Sequence, residues 1–544
     1  MKRQILSVWL IVWGLATYAS SLPAQPVQRW NNHYECQGSW SENNIMETED
    51  GGFIIAGQTS EQGAGRLDIY IVRLDREGQV VWERTSGGEQ NDSGIQLTAN
   101  KEGYIEFGTT RSFGEGGSDF FAVCFSEDGE EIWTNHYGTD SWDILKGVYT
   151  LPDGNYLLFG TASAGNDQEG DVLLGLIDDL GEEIWLHRYE REGDDCPIGV
   201  ACDQDEFVIA GAGVWPQESW NSYLLRIDSN GEQIGLNYYA EFFSAFPHKM
   251  ITARDGDVVL FNTALDLDEN GEPTGNNFIL VQKIGLDGRL RWETIVQEGD
   301  YCYCTDAVEA RFGGFYLVGG TFNDQSVDDI FAARISPEGQ VSWSQSIDGN
   351  RSCDNGSAIL ATPEGGFVIV GTIAIPHPPM PMAMAACQIK HLNGAGRTQW
   401  TWTSREYDPG WLNMEWNMLR AADGGYLVSS AYGDMEVYRL GVNPVSADLP
   451  DQVNAPFSLI LNEPYPNPFN GQVNIPFEVN RPGMLEITIL GSDGRQVLSP
   501  FNWFAVPGRQ TLSWQANDMA SGAYWLKIQE HEGAAQERRL VLTR

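Results

Sequence analysis

Three observations predict an all-β chain whose main body, residues 26–443, is an eight-bladed β-propeller. The first is a repeat of about fifty residues, a period that marks solenoids, propellers and arrays. A Gly- or Asp-rich turn opens each unit and leads into Phe53, Tyr104, Tyr156, Phe207, Val258, Phe315, Phe367 or Tyr426. The second is a Gly placed four residues ahead of a Trp, in Gly78/Trp82, Gly129/Trp133, Gly181/Trp185, Gly288/Trp292, Gly339/Trp343 and Gly396/Trp400. A further copy, Gly231, has Gly235 in the Trp place. The third is the absence of any helical period, while apolar and polar residues alternate between turns.

The chain opens with Lys2 and Arg3, an apolar run from Ile5 to Leu15 and small residues around Ala19 to Ala24. That pattern predicts a secretory signal peptide over residues 1–24. It is too short for a membrane span and no later stretch has the length one needs, so the mature protein is expected to be exported and soluble. VQRWNNHYE, around Trp30, matches the Trp-bearing strand but has no unit before it. The last unit ends at EVYRLGVN, Glu436 to Asn443, without such a strand. The N-terminal strand is therefore expected to complete the last blade, which would close the ring and remove open edges.

Within one unit, GGFIIAGQT, LDIYIVRLD, QVVWERT and GIQLTAN read as four short strands rich in Val, Ile, Tyr and Trp. Such a meander, repeated in register, is a propeller blade. The repeating Trp is expected to pack in the core between neighbouring blades. Seven blades is the alternative, if the irregular unit around Trp400 to Tyr426 packs differently.

The net charge of −43 excludes nucleic acid and anionic membrane as partners, since these need clustered Lys and Arg. It would attract divalent cations. An exported chain permits its eight Cys to pair, and a bridge from Cys302 or Cys304 to Cys353 would join neighbouring units. No Cys or His spacing suits zinc.

Calcium is the cofactor candidate. Asp266, Asp268 and Asn270, followed by Gly271, match the first half of a calcium loop, where alternate oxygen ligands ride on a tight turn. The twelfth position is Asn277 rather than Glu, and a long polar hairpin is the alternative reading. A second candidate set recurs at the entrance to the innermost strand: Asn91 and Asp92, Asp140 and Asp143, Asp194 and Asp195, Asp300 and Asp306, Asp354 and Asn355. These are expected to circle the channel mouth, to ring a ligand, to cap turns, or to act as acid–base pairs. A third set is aromatic: Trp142, Trp215, Trp220, Trp411 and Trp416 lie outside the repeating position and suit stacking on sugar rings. There is no nucleophile elbow, phosphate loop or HExxH.

RLDREGQVVW, FSEDGEEIW and ISPEGQVSW resemble the repeats of quinoprotein-like and delta-60 type propellers, which follow an apolar-Asp-x-x-Gly-x-x-x-Trp pattern. The resemblance implies the fold. The pyrroloquinoline quinone site of the quinoprotein dehydrogenases sits with calcium beside a vicinal disulfide. Here Tyr303 separates Cys302 from Cys304, so that activity is not carried over.

After a Pro-rich polar linker over residues 444–456 come LNEPYPNPFNGQVNIPFEV, LEITILGSDGRQV and MASGAYWLKIQ. These resemble the type A C-terminal sorting domain of the type IX secretion system and the flagellar hook-capping Ig-like domain. The matching residues are Tyr465, Pro466, Asn467 and Pro468, then Gly494 and Arg495, then Gly522 and Tyr524. The resemblance implies an Ig-like β-sandwich over residues 457–544 that the outer-membrane export machinery reads. The chain is thus expected to be secreted or held at the outer cell surface. Its expected role is non-catalytic, binding or scaffolding a polysaccharide or protein. The rival expectation is a carbohydrate-active hydrolase or lyase working through Asp140, Asp143, Asp194 or Asp195.

Overall fold

The structure is a computed structural model. It describes residues 25–38, 44–60, 62–164, 170–191, 193–203, 206–214, 220–239, 245–267, 273–299, 301–322, 329–347, 354–375, 384–405, 415–430, 434–441, 459–479, 483–492, 495–505, 508–516, 519–530 and 535–543. The proposed signal peptide, the linker and Gly494 lie outside this set. The chain divides into two compact units, residues 1–443 and 444–544. Among the described residues all regular structure is strand, and none is helix.

The first unit is propeller-like. Six four-stranded antiparallel meanders follow one another, beginning at Asp92, Trp142, Asp195, Ala245, Tyr301 and Asn355. We number them two to seven. An eight-stranded sheet joins the two ends of the unit. One half is a first meander made of Ile45–Glu47, Phe53–Thr59, Asp68–Leu74 and Val80–Ser86. The other is a terminal set made of Trp416–Arg420, Tyr426–Ser430, Asp434–Gly441 and Val27–Gly38. Val27–Gly38 pairs with Asp434–Gly441 from Val27↔Gly441 to Gln37↔Asp434, and touches Phe53–Thr59 only at Gln37 and Gly38. The phase of the repeat differs from the sequence reading. GIQLTAN belongs to the second meander, and the first takes its innermost strand from the short Ile45–Glu47.

Burial follows position in the meander. Third strands such as Asp119–Ser126 are buried on both faces and read as unbroken apolar runs. Fourth strands lie outermost, and Val81 at their edge is 58% exposed.

The Gly–Trp spacing has a direct cause. Each Gly of the third-to-fourth-strand turn has φ between +74° and +82°, a conformation that disfavours any side chain. The Trp of the preceding meander lies against it: a methyl on Gly129 would stand 2.7 Å from the Trp82 ring, and one on Gly339 2.6 Å from Trp292. The indole N–H then donates into the same turn, from Trp82 to Glu127 O at 2.8 Å and from Trp292 to Pro337 O at 3.1 Å. Trp30 does the same at Gly78, donating to Arg76 O at 3.0 Å. Where Gly235 replaces the Trp, the contacts that remain are those made beside the Trp elsewhere: Asn237 stands 2.7 Å from a methyl on Gly288 and Tyr239 donates to Gly288 O at 2.8 Å, as Asn135 and Tyr137 donate to Gly181 O at 2.9 and 2.6 Å beside Trp133.

The opening turns are held by their Asp. In the first meander Asp50 accepts from Thr48 Oγ1 at 2.7 Å and Gly52 N at 3.2 Å, and pairs with Arg73 at 2.6 Å. Asp423 repeats the arrangement with Gly425 N and Arg439.

The second unit is two antiparallel sheets around one core. Leu459–Leu461, Gln472–Val479 and Gly508–Gln515 form one. Gln496–Ala505, Gly483–Gly491, Gly522–Glu530 and Gln536–Leu542 form the other, in that order. Strict alternation places Val473, Ile475, Phe477 and Val479 inside, opposite Leu485, Ile487, Ile489, Leu526 and Ile528.

Two outcomes follow. Trp82→Ala removes a buried ring and its donor, and should lower unfolding free energy by about 3–5 kcal/mol in a denaturant titration. The bonds from Thr48 and Gly52 hold the Asp50 carboxyl down at about 2, below its ordinary 3.8. Its contribution is full above pH 3.8 and is lost as pH falls through about 2. The stability gap between the native chain and Asp50→Asn should therefore close over that window.

Candidate functional site

The acidic residues at the innermost strands divide into two kinds. Asp140 and Asp194 are exposed, whereas Asp92, Asp143, Asp195 and Asp354 are buried at 3% exposure or less. The buried ones are structural acceptors. Asp92 accepts from Gly88 N at 2.7 Å, Ser112 Oγ at 2.7 Å and Arg111 N at 3.2 Å, and Asp354 accepts from Ala374 N at 2.9 Å. Asp306 pairs with Lys249 at 2.9 Å and accepts from Ile359 N at 2.9 Å, tying the sixth meander to the seventh. Asp140/Asp143 and Asp194/Asp195 thus each hold one solvent-facing and one buried carboxyl, and Asp300 lies outside the described residues.

Asp195 and Asp119 have perturbed carboxyls. Burial pushes Asp195 up to about 7 against the pull of Arg191, and burial with the charge of Asp143 pushes Asp119 up to about 7. The spacing of acids at innermost strands pointed to Asp143 and Asp195. It missed Asp119, which opens a third strand one meander earlier.

The metal candidates are not brought into view. Asp268 and Asn270 lie outside the described residues, and Asp266 is described only as part of Val258–Leu267. Among the described residues no three His, Cys, Asp or Glu side chains converge. Cys302 is a buried thiol pushed up to about 12 by burial, and Cys353 lies outside the described set.

The described loop aromatics all touch other side chains or backbone. Trp416 is 1% exposed and donates to Thr372 Oγ1 at 2.9 Å. Trp142 lies with one ring against Gly117 and with the Arg111 guanidinium 5.0 Å from its centroid. Trp220 meets Phe246 edge-on at 5.5 Å, and Trp215 and Trp411 lie outside the described residues. Trp416 is thus packed away, whereas Trp142 and Trp220 are half-buried.

A cavity of about 580 Å³ opens where the innermost strands of the second and third meanders meet. Its walls include Gln58, Asn91, Ser93, Thr109, Arg111 and Lys146. Two cations and several neutral hydrogen-bonding groups line it, and no carboxylate does.

In the second unit, the sorting-motif residues lie together at the edge of the last strand. Asn467 donates from Nδ2 to Arg539 O at 2.7 Å and accepts at Oδ1 from Val541 N at 2.8 Å. Its carboxamide thereby copies a backbone pairing along Gln536–Leu542. Phe469 continues the seal, its N donating to Val541 O at 2.9 Å and its O accepting from Thr543 N at 2.9 Å. Tyr465, Pro466, Asn467 and Pro468 are exposed, with Tyr465 also bridging to Asn474. Across the core Tyr524 donates to Ala520 O at 2.6 Å, and the exposed Gly522 opens its strand.

Comparison with known proteins agrees with this unit. Residues 463–543 match the family described as Secretion system C-terminal sorting domain. The match implies export, an outer-surface location and interaction with the type IX secretion machinery. Among the described residues no helix is long and apolar enough to cross a membrane. None of the curated proteins compared matches the chain. Among solved structures it is similar to PorZ of Porphyromonas gingivalis, a surface component of the type-IX secretion system, at 11% identity and TM-score 0.34 over 94% of this chain and 75% of that one. It is also similar to an ulvan lyase, at 11% identity and TM-score 0.41 over 77% and 96%. Sqt1 from Chaetomium thermophilum is similar at 11% identity and TM-score 0.44 over 77% and 100%. At such scores none of the three bears on function.

Asn467→Ala removes both bonds at the edge of the last strand. It should cost the second unit about 1–2 kcal/mol and reduce the surface-exposed fraction of the protein, read by melting and by antibody labelling of intact cells.

Proposed function

We propose that the chain is an exported surface protein whose eight-bladed, ring-closed propeller binds an anionic polysaccharide without transforming it. Ring closure is supported by the contacts between the first meander and the terminal set. Asn417 donates to Asn44 Oδ1 at 3.0 Å, Ala422 N to Glu47 at 2.6 Å, and the Arg439 guanidinium lies 5.3 Å from the Phe53 ring centroid. Trp30 adds the same contact that joins the other meanders. Residues 1–24 act as the signal peptide, and the Ig-like C-terminal domain completes the route across the outer membrane.

The observation that carries the binding reading is the lining of the 580 Å³ cavity. Lys146 offers positive charge in a chain of net charge −43, beside an Arg111 guanidinium that stacks on Trp142, and Gln58, Asn91, Ser93 and Thr109 offer hydrogen bonds suited to hydroxyls. Of the acids at the innermost strands, Asp92 and Asp354 accept from backbone amides and Asp195 pairs with Arg191, which favours binding over hydrolase or lyase chemistry at those three. Calcium at Asp266, Asp268 and Asn270 remains a proposal on sequence grounds.

On an array of acidic and neutral glycans, the exported chain should retain acidic polysaccharides, and retention should fall with salt. Lys146→Ala should weaken binding about tenfold, a change of about 1.4 kcal/mol. Equal retention by Lys146→Ala, or glycan cleavage lost in Asp140→Asn, would refute the reading.

A further inference from the structure

The first three junctions between consecutive meanders are built alike and differ in one respect. At each, an Asp opening a third strand (Asp68, Asp119, Asp171) faces an Asp at the start of the next meander (Asp92, Asp143, Asp195). One backbone bond sets the approach each time: Asp92 N to Leu67 O at 2.7 Å, Asp143 N to Ser118 O at 2.8 Å and Asp195 N to Gly170 O at 2.7 Å.

At the third junction two guanidinium groups meet the two carboxylates. Arg188 donates to Asp171 from Nε at 2.9 Å and from Nη2 at 2.8 Å, and Arg191 pairs with Asp195 at 2.9 Å. Strand register places His136 and Thr85 where Arg188 stands. Among the described residues no Lys or Arg forms an ion pair with Asp68, Asp92, Asp119 or Asp143, although Arg188 donates to Ser141 Oγ at 3.1 Å and its charge pulls the Asp143 carboxyl down against burial.

The carboxylates at the first two junctions share small enclosed spaces. A methyl built on Gly87 would stand 2.1 Å from Asp68 Oδ1 and 2.8 Å from Asp92 Oδ2. One on Gly138 would stand 1.8 Å from Asp119 Oδ1 and 2.7 Å from Asp143 Oδ2. All four residues are 2% exposed or less. Asp68 Oδ1, the atom turned toward Asp92, has no hydrogen-bond partner; at the second junction Asp119 Oδ1 faces Asp143, and the partnerless Oδ2 lies toward Gly114 and His136. Two buried like charges this close need a proton or a cation between them. The raised Asp119 carboxyl reports the same frustration, with burial first and Asp143 second as its causes.

We propose that the first and second junctions each bind a divalent cation of the calcium type, held between Asp68 and Asp92 and between Asp119 and Asp143. The ion takes the place that guanidinium groups fill at the third junction. The donors are all oxygens, which suits a hard cation with flexible coordination over zinc. Backbone carbonyls stand in the same loops: Gly88 O and Gln90 O lie 2.4 and 2.1 Å from a methyl on Gly65, and Ser141 O lies 2.3 Å from one on Gly116. Carbonyls and water complete the shell around two carboxylates.

The test uses the full exported chain, stripped with EDTA and returned to Ca²⁺, Mg²⁺ or neither. Elemental analysis should find about two Ca²⁺ per chain beyond any lost in Asp266→Asn/Asp268→Asn. Ca²⁺ should raise the melting temperature by about 3 °C or more, and Mg²⁺ by less. Asp68→Asn and Asp119→Asn should each remove one ion. His136→Arg copies the third junction into the second; it should abolish Ca²⁺ uptake there while the EDTA-treated chain still melts cooperatively. Absence of Ca²⁺ and of any melting shift in the native chain overturns the proposal, as does unchanged stoichiometry in Asp119→Asn or His136→Arg. Gain of stability in Asp119→Asn without Ca²⁺ uptake by the native chain assigns a shared proton instead, and also overturns it.

Discussion

The contact on which the first unit depends is a Trp of one meander seated on a left-handed Gly of the next. The Gly supplies both the turn and a surface without a side chain, and the indole covers it while its N–H satisfies a turn carbonyl. Each meander thus offers a flat seat at one edge and a ring at the other. Where both groups are present neighbours stack through them, so orientation is set locally. Neither partner can be replaced alone: a side chain on the Gly would clash with the ring, and loss of the ring would expose the turn. In the fourth meander, which lacks the ring, Asn237 and Tyr239 still hold the Gly288 turn, as Asn135 and Tyr137 hold the Gly181 turn beside Trp133.

Electrostatics act at the opposite ends of the strands. A chain of net charge −43 disperses most of its acids in solvent, yet it also buries carboxylates at meander junctions. There they serve as acceptors for loop amides that no strand can reach, as Asp92 does for the loops around Gly88 and Arg111. At the third junction Arg188 and Arg191 balance the charge of the half-buried Asp171 and the buried Asp195. Otherwise similar junctions are thus provided unequally with basic side chains.

The second unit manages a different problem, the open edge of its last strand. Free edge amides invite pairing with other chains. Asn467 and Phe469 cover this edge, one through a side-chain amide and one through the backbone. The part of the sorting motif that is most recognisable in the sequence is therefore also the part that keeps the sheet from being extended. Tyr465, beside it, stays exposed.

The all-β class, the repeat and the sorting domain were legible because local constraints recur at fixed spacing. A positive-φ Gly and a buried Trp leave the same trace in every unit, and alternation in Gln472–Val479 marks a half-buried strand without reference to its neighbours. Ile45–Glu47 was not legible, because three residues carry no period. Nor was the packing of Trp142 and Trp416, whose partners Arg111 and Thr372 come from other strands. The same holds for the carboxylates: the sequence placed Asp92 and Asp143 at strand starts, but only tertiary contact brought Asp68 and Asp119 against them. Periodicity records what each residue needs from its own strand and turn. Burial, charge pairing and cavity lining depend on which strand lies opposite, and that is settled only when the meanders stack.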